Sequence, residues 1–218
     1  FLIVMWAVNT GPPVDDQQYV MAAARRYEEF GDPWLLALMH MGLAYIRWYG
    51  GDPAGADDEF GLAIAGLRQI GERWGLATTL SAAADLADSR GDLARAVTLT
   101  DEALRLAAEL DAPAEVADLL CRRGDRAFAF GRIDEARADY ERAAKLARKS
   151  GAAEAVAASN VGLAMVARHD GDLAAARALL DHALANCPTD GFGPGATRTG
   201  ILVELARVGR RNAPQRLP

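Results

Sequence analysis

The sequence predicts an all-α fold, a solenoid of antiparallel helix hairpins, and three observations carry that reading. Gly51-Asp52, Gly91-Asp92, Gly131-Arg132 and Gly171-Asp172 recur every 40 residues, and Gly31, Gly71, Asp111 and Gly151 recur at the same interval half a period out of phase. Between these marks, small and large apolar residues return at helical spacing. No sustained period-two alternation of β-branched residues signals a strand. A fixed period of this length means stacked supersecondary units, each of which buries its apolar face only against its neighbours.

The elements follow in chain order. Phe1–Val8 reads as the tail of a first helix, Gly11-Pro12-Pro13 as a hairpin turn, and 14–29 as the second helix of that partial unit. Four whole units come next, 31–70, 71–110, 111–150 and 151–190, with helices expected at 33–49, 53–69, 73–89, 93–109, 113–129, 133–149, 153–169 and 173–186. A partial unit, 191–209, carries a last first helix near 196–209 with Leu202 and Leu205 apolar; residues 210–218 form a basic tail expected to be disordered. The array is thus read as one domain over 1–209. Glycine ahead of each helix suits a left-handed residue closing the preceding one. Asp52, Asp92 and Asp172 are natural N-caps, and Pro33 and Pro53 sit where a first-turn proline is welcome. Arg132 breaks the cap column, so its turn is expected to be the least well capped.

The second helices share a stripe: Ala56/Phe60/Ala63, Ala96/Thr100/Ala103, Ala136/Tyr140/Ala143 and Ala176/Leu180/Ala183. The first helices carry small residues seven apart, Ala37/Ala44, Ala77/Ala84, Ala117/Gly124 and Ala157/Ala164. Small side chains let helices approach, and the larger one fills the space between. Trp34 and Trp74 share a column at helix starts and are expected to pack between units.

Composition bounds function. The chain has 218 residues, 24 basic and 30 acidic, a net charge of −6, and 51% hydrophobic residues but only 7% aromatic. The acidic balance argues against direct nucleic-acid binding. Phe1–Val8 is too short an apolar run to span a bilayer and lacks the flanks of a signal peptide, so no membrane association is expected. Its apolar residues, Phe1, Ile3, Val4 and Trp6, are a candidate surface for self-association, and the chain reads as a fragment or processed form of a longer protein. Cys121 and Cys187 have no metal-type spacing and suggest a reduced, cytoplasmic setting.

Chemistry is sparse. His40, His169 and His182 lie on different helices with no partner at ligand spacing. Gly191-Phe-Gly-Pro-Gly195 has neither a preceding strand nor a following Lys-Ser/Thr, so it reads as a connector rather than a phosphate loop. Asp57-Asp58-Glu59 is placed in a first helical turn, where the helix dipole accounts for it. No metal, no cofactor and no enzymatic activity are expected.

The series Ala44/Ala56/Phe60/Ala63 and its three successors resembles the tetratricopeptide repeat, over essentially the whole chain. The period of 40 departs from that family's 34, its tryptophan column is missing, and no proline closes each unit. Units of this length, rich in Ala, Arg, Gly and Asp, are also similar to the C-terminal arrays of actinobacterial antibiotic-regulatory and large ATP-binding LuxR-type transcriptional regulators. The resemblance implies a right-handed superhelix whose first helices line a concave face. On that face it puts Leu38, Met41, Tyr45, Trp48 and Tyr49, then Thr78, Ser81, Asp85, Asp88 and Ser89. The third unit adds Asp118, Cys121, Arg122, Asp125 and Phe128, and the fourth Ala158, Val161, Met165, Arg168 and His169. The candidate binding residues are Met41, Tyr45, Trp48, Tyr49, Asp85, Asp88, Asp118, Arg122 and Asp125: an aromatic end and an acidic middle, suited to a basic amphipathic peptide or a partner domain. The plain structural alternative is that Trp48 and Tyr49 pack against the next unit while Asp85 and Asp88 are solvated or paired with Arg90 or Arg122. In function, a protein-binding sensor or assembly module of a larger regulator stands beside a small-molecule inducer receptor closing between Tyr45, Trp48 and the aspartates.

Overall fold

The computed structural model describes residues 31–187 and 194–212. Among them are nine helices and no strand: α1 Pro33–Tyr49, α2 Pro53–Ile70, α3 Arg73–Ser89, α4 Leu93–Glu109, α5 Pro113–Ala129, α6 Ile133–Ser150, α7 Ala153–His169, α8 Leu173–Asn186 and α9 Pro194–Asn212. The expected helices 1–8 and 14–29, the apolar Phe1–Val8 segment, the first residues of the glycine-rich connector and residues 213–218 lie outside the described set. The last helix begins two residues earlier and ends three later than the 196–209 expected.

Two units of the chain each hold their own core, Phe1–Asp111 and Ala112–Pro218. Within the first, α1 pairs with α2 and α3 with α4, and α2 packs on α3; within the second, α5 pairs with α6 and α7 with α8, while α9 closes on α7 and α8. The repeat columns explain the pairing. Ala56, Phe60 and Ala63 have no solvent exposure, nor do Ala136, Tyr140 and Ala143, or Ala176, Leu180 and Ala183, and Thr100 completes the same column in α4. The facing small residues Ala44, Ala84 and Ala164 are as deeply buried.

Turn chemistry ends each helix where the register says. Gly31, Gly51, Gly71, Gly91, Gly131, Gly151 and Gly171 all take positive φ, and Asp111 occupies the same column at φ 51° without being glycine. Asp52, Asp92 and Asp172 each accept a hydrogen bond from a backbone N–H of the following helix. Asp32 and Glu72 cap α1 and α3 in the same way. Arg132 gives α6 no side-chain cap, but Ala112 and Ala152 leave α5 and α7 equally uncapped, so that turn is not alone.

Candidate functional site

In the first unit, the C-terminal half of α1 presents the predicted aromatic group. Tyr45 meets the buried Phe60 edge-on, with ring centres 5.5 Å apart, which seats one ring on the core. Tyr49 lies 6.2 Å from Tyr45, and its ring is parallel to that of Trp48 at 5.9 Å and 2°. Trp48 is half-buried and Tyr49 is 62% exposed. Met41, also half-buried, is tied to α3 by a contact from the Thr79 hydroxyl to its sulfur at 3.4 Å. Asp85 and Asp88 stand half-buried on α3, in the columns of Tyr45 and Trp48 one period on. Arg90, a suggested partner for them, instead reaches Asp57 at 3.1 Å. Leu38 belongs to the core, not to a surface.

In the second unit the picture is more polar. Arg122 donates to the exposed Asp118 one turn away at 2.8 Å. Asp125 accepts a 2.7 Å hydrogen bond from the buried Tyr140 hydroxyl. Although part of Asp125 meets solvent, the protein crowded around its carboxyl raises its pKa above the ordinary value, and the Tyr140 hydrogen bond opposes that rise. Burial drives the Cys121 thiol and the Tyr140 phenol up as well, so Cys121 is an inert core thiol rather than part of an accessible face. A neighbouring pair had no signal in a single-residue search: Arg123 forks onto the buried Asp139 with contacts of 2.8 and 2.6 Å. The 40-residue columns hold the clue, since Glu59 occupies the Asp139 position two periods earlier and is likewise buried, against His40 at 2.7 Å and Arg47 at 3.3 Å.

Each histidine likewise has a polar neighbour. His40 is bound to Glu59, His182 lies 3.1 Å from Asn160, and His169 packs edge-on against Phe128 and 3.3 Å from Asp170. Among the described residues no three His, Cys, Asp or Glu side chains are placed to share a metal. Asp57, Asp58 and Glu59 fall beyond the first turn of α2, correcting the dipole argument. Ion pairs engage two of the three instead: Arg95 and Arg90 hold the Asp57 carboxyl below its usual pKa, and Glu59 meets His40 and Arg47.

One expectation is overturned. Trp34 and Trp74 do not pack between units; they are 43% and 58% exposed and, with Ile70, Gly71, Glu72, Arg73 and Leu110, line an open concavity of about 580 Å³. A repeated tryptophan column reads as packing in a sequence. Here the column coincides with the helix-capping turn, which directs the rings outward at the edge of the unit.

Comparison with known proteins agrees with this architecture. Residues 115–189 match the family model described as tetratricopeptide repeat. The fold is similar to that of BtubC (BKLC) from P. vanneervenii, at 21% identity and a TM-score of 0.72, covering 99% of this chain and 82% of that one. It is also similar to the nearly identical TPR-like repeats of a putative kinesin light chain from Podosopora anserina, at 19% identity and a TM-score of 0.62, covering 84% of this chain and 89% of that one. No curated protein sequence matches the chain. The class defined is an all-α, tetratricopeptide-like helical repeat, and repeats of this kind generally mediate contacts between proteins. No described helix is long and apolar enough to cross a membrane.

Proposed function

We propose that the chain is a protein-interaction module that takes a peptide or partner domain on the exposed faces of its first helices, without chemistry of its own. The observation that carries this reading is the stacked Trp48–Tyr49 pair, left with Tyr49 62% exposed at the end of α1 while Asp85 and Asp88 stand on the next first helix of the same unit. Core packing does not call for an aromatic ring so far into solvent, whereas rigid aromatic anchors with few rotatable bonds are the favoured currency of protein contacts. The aspartates add a preference for basic side chains beside the anchor. Asp118, Arg122 and Asp125 on α5 form the corresponding, mixed-charge face of the second unit. The repeat register passes through residues 111–112 without a slip, and on that ground we treat 1–209 as one interaction domain.

The wider setting we propose is a sensor or assembly role in a larger transcriptional regulator, in the cytoplasm. Its support is the resemblance of the 40-residue, Ala-, Arg-, Gly- and Asp-rich units to the arrays of such regulators. The inducer-receptor reading ranks second, because a small ligand needs a pocket that buries most of its surface, and the Trp48–Tyr49 pair is open on one side.

Panning a random peptide library against the whole chain tests the proposal. Selected peptides should combine apolar and basic residues, and should lose about tenfold or more in affinity against Tyr49→Ala and against Asp85→Asn/Asp88→Asn. Peptides that bind all three proteins alike would remove this face from consideration.

A further inference from the structure

We infer that the C-terminal half of α6 is a second docking surface, and that its occupant is a short acidic segment of a partner protein. Arg142, Lys145, Arg148 and Lys149 form it, and all four are exposed. The surface lies on a second helix and asks for the opposite charge from the first-helix face described above. Lys145 and Lys149 are also the two lysines of the 218-residue chain; its other basic residues are arginines.

Most cations of the described chain are neutralised where they stand. Arg137, earlier on α6, is held by Asp170 at 2.7 Å, and Arg123 by Asp139 at 2.6 Å. Among the described residues none of the four on α6 is in an ion pair, and Glu141 is the one carboxylate beside them on the helix. The repeat does not demand this cluster. The columns of Arg142, Lys145 and Lys149 carry Glu102, Arg105 and Glu109 one period earlier, and those of Arg148 and His182 carry Arg68 and Glu102 two periods earlier. In the first unit these residues satisfy one another: Arg68 forks onto Glu102 at 2.8 and 2.6 Å, and Arg105 reaches Glu109 at 2.6 Å. In the second unit the acidic members give way to Arg142, Lys149 and His182. Lys145 and Lys149, four residues apart, then repel across one turn. The helix dipole favours Arg148 and Lys149 in the last turn, but it fades within that turn and leaves Arg142 and Lys145 without a counterpart.

Size and surroundings decide which anion fits. Arg142 and Lys149 stand about 10 Å apart along the helix axis, a span that about three extended residues cover. A longer polyanion running on along α6 would meet Asp134 and Glu135 in its first turn. None of the exposed large apolar residues lies on α6. A nucleic-acid strand therefore finds no ring to stack on, and a bilayer receives no apolar side chain. A few adjacent aspartates and glutamates have both the charge and the length. Two guanidinium forks and two ammonium groups match carboxylates directly.

The test uses the full chain and a capped peptide of six alternating aspartate and glutamate residues, followed by fluorescence polarisation across a salt series. Binding should weaken as salt rises. The double variants Lys145→Gln/Lys149→Gln and Arg142→Gln/Arg148→Gln should each lower affinity about fivefold or more. Arg105→Gln, which removes a cation already paired in the first unit, should leave it within about twofold. Carbodiimide coupling of the peptide's carboxylates to amines gives a readout on the unaltered chain: mass spectrometry should find the peptide on Lys145 and Lys149. Equal binding of the matching asparagine–glutamine peptide, unchanged affinity in the lysine variant, or coupling at the terminal amine alone would overturn the assignment. So would tighter binding of a short thymidine strand or of phosphatidylserine vesicles at the same salt. Failure here would leave the first-helix proposal standing, because that face selects basic peptides and is read through Tyr49, Asp85 and Asp88.

Discussion

At the scale of single residues, Tyr140 shows how a repeat column accommodates an outsized member. The column carries Phe60, Thr100, Tyr140 and Leu180 in its four units, all buried, and the tyrosine fits because α5 and α7 offer glycine where it crosses. A Cβ at Gly124 would stand 2.7 Å from the Tyr140 ring, and one at Gly162 only 2.2 Å from it. With the ring wholly enclosed, neither contact can relax cheaply. Gly162→Ala should therefore cost about 1–3 kcal/mol in urea unfolding. The same change on a Tyr140→Leu background should cost much less, because leucine is the residue that α8 uses at this position; additive penalties would refute the steric account. Asp111 is the complementary case, a non-glycine at φ 51° in a column of left-handed glycines. Asp111→Gly should raise the unfolding midpoint, by a net gain of about 0.5 kcal/mol after the added freedom of the unfolded chain is subtracted.

At the scale of helices, the boundaries were legible almost to the residue. Two alternating punctuation columns fixed both ends of every element between Pro33 and His169, and α2 and α6 each exceed expectation by one residue only. Side-chain partners were less legible, because a period identifies which positions are equivalent but not which charges meet. Asp57 of α2 pairs with Arg90 at the α3–α4 turn at 3.1 Å, while in the second unit Arg137 of α6 pairs with Asp170 at the α7–α8 turn at 2.7 Å. These are the same two columns, two periods apart, with the charges exchanged. Composition by column conceals such a staple, since neither sign is maintained. The exposed tryptophans escaped for a related reason: periodicity marks a shared position without saying which way it faces. Caps, by contrast, were readable because the side chain acts on its own backbone. Asp92→Ala should cost about 1 kcal/mol, and Arg132→Asn, which supplies the missing cap of α6, should gain about 0.5–1 kcal/mol in the same denaturant measurement. A loss with Arg132→Asn would mean that the Arg132–Glu135 contact at 3.2 Å and the Arg132–Phe130 stacking at 5.5 Å outweigh the cap.

At the scale of the molecule, the carboxylates make opposing demands on pH. Asp57 in the first unit is held below its ordinary pKa by Arg95 and Arg90, and Asp170 in the second by Arg137 and His169. Each binds its proton less readily folded than unfolded. The stability they supply is complete above the unfolded carboxylate value of about 4 and is lost as pH falls through the folded value. Asp170 is well exposed, so solvent screens most of its share, and Asp57 carries the larger part. Asp125 works the other way. Crowding raises its pKa, so the folded state takes up a proton before the unfolded one, and stability falls as pH rises between the ordinary and the raised value. The urea midpoint followed from pH 7 to pH 3 should separate the two. Asp57→Asn should lower the midpoint at neutral pH and flatten the acid limb. Asp125→Asn, which keeps an acceptor for the Tyr140 hydroxyl, should hold or raise the midpoint at neutral pH and steepen the decline toward pH 4, because a carboxyl that gains from acid is gone. Parallel curves for the two variants would mean that these shifts do not govern the fold's response to acid, and that overall charge repulsion does.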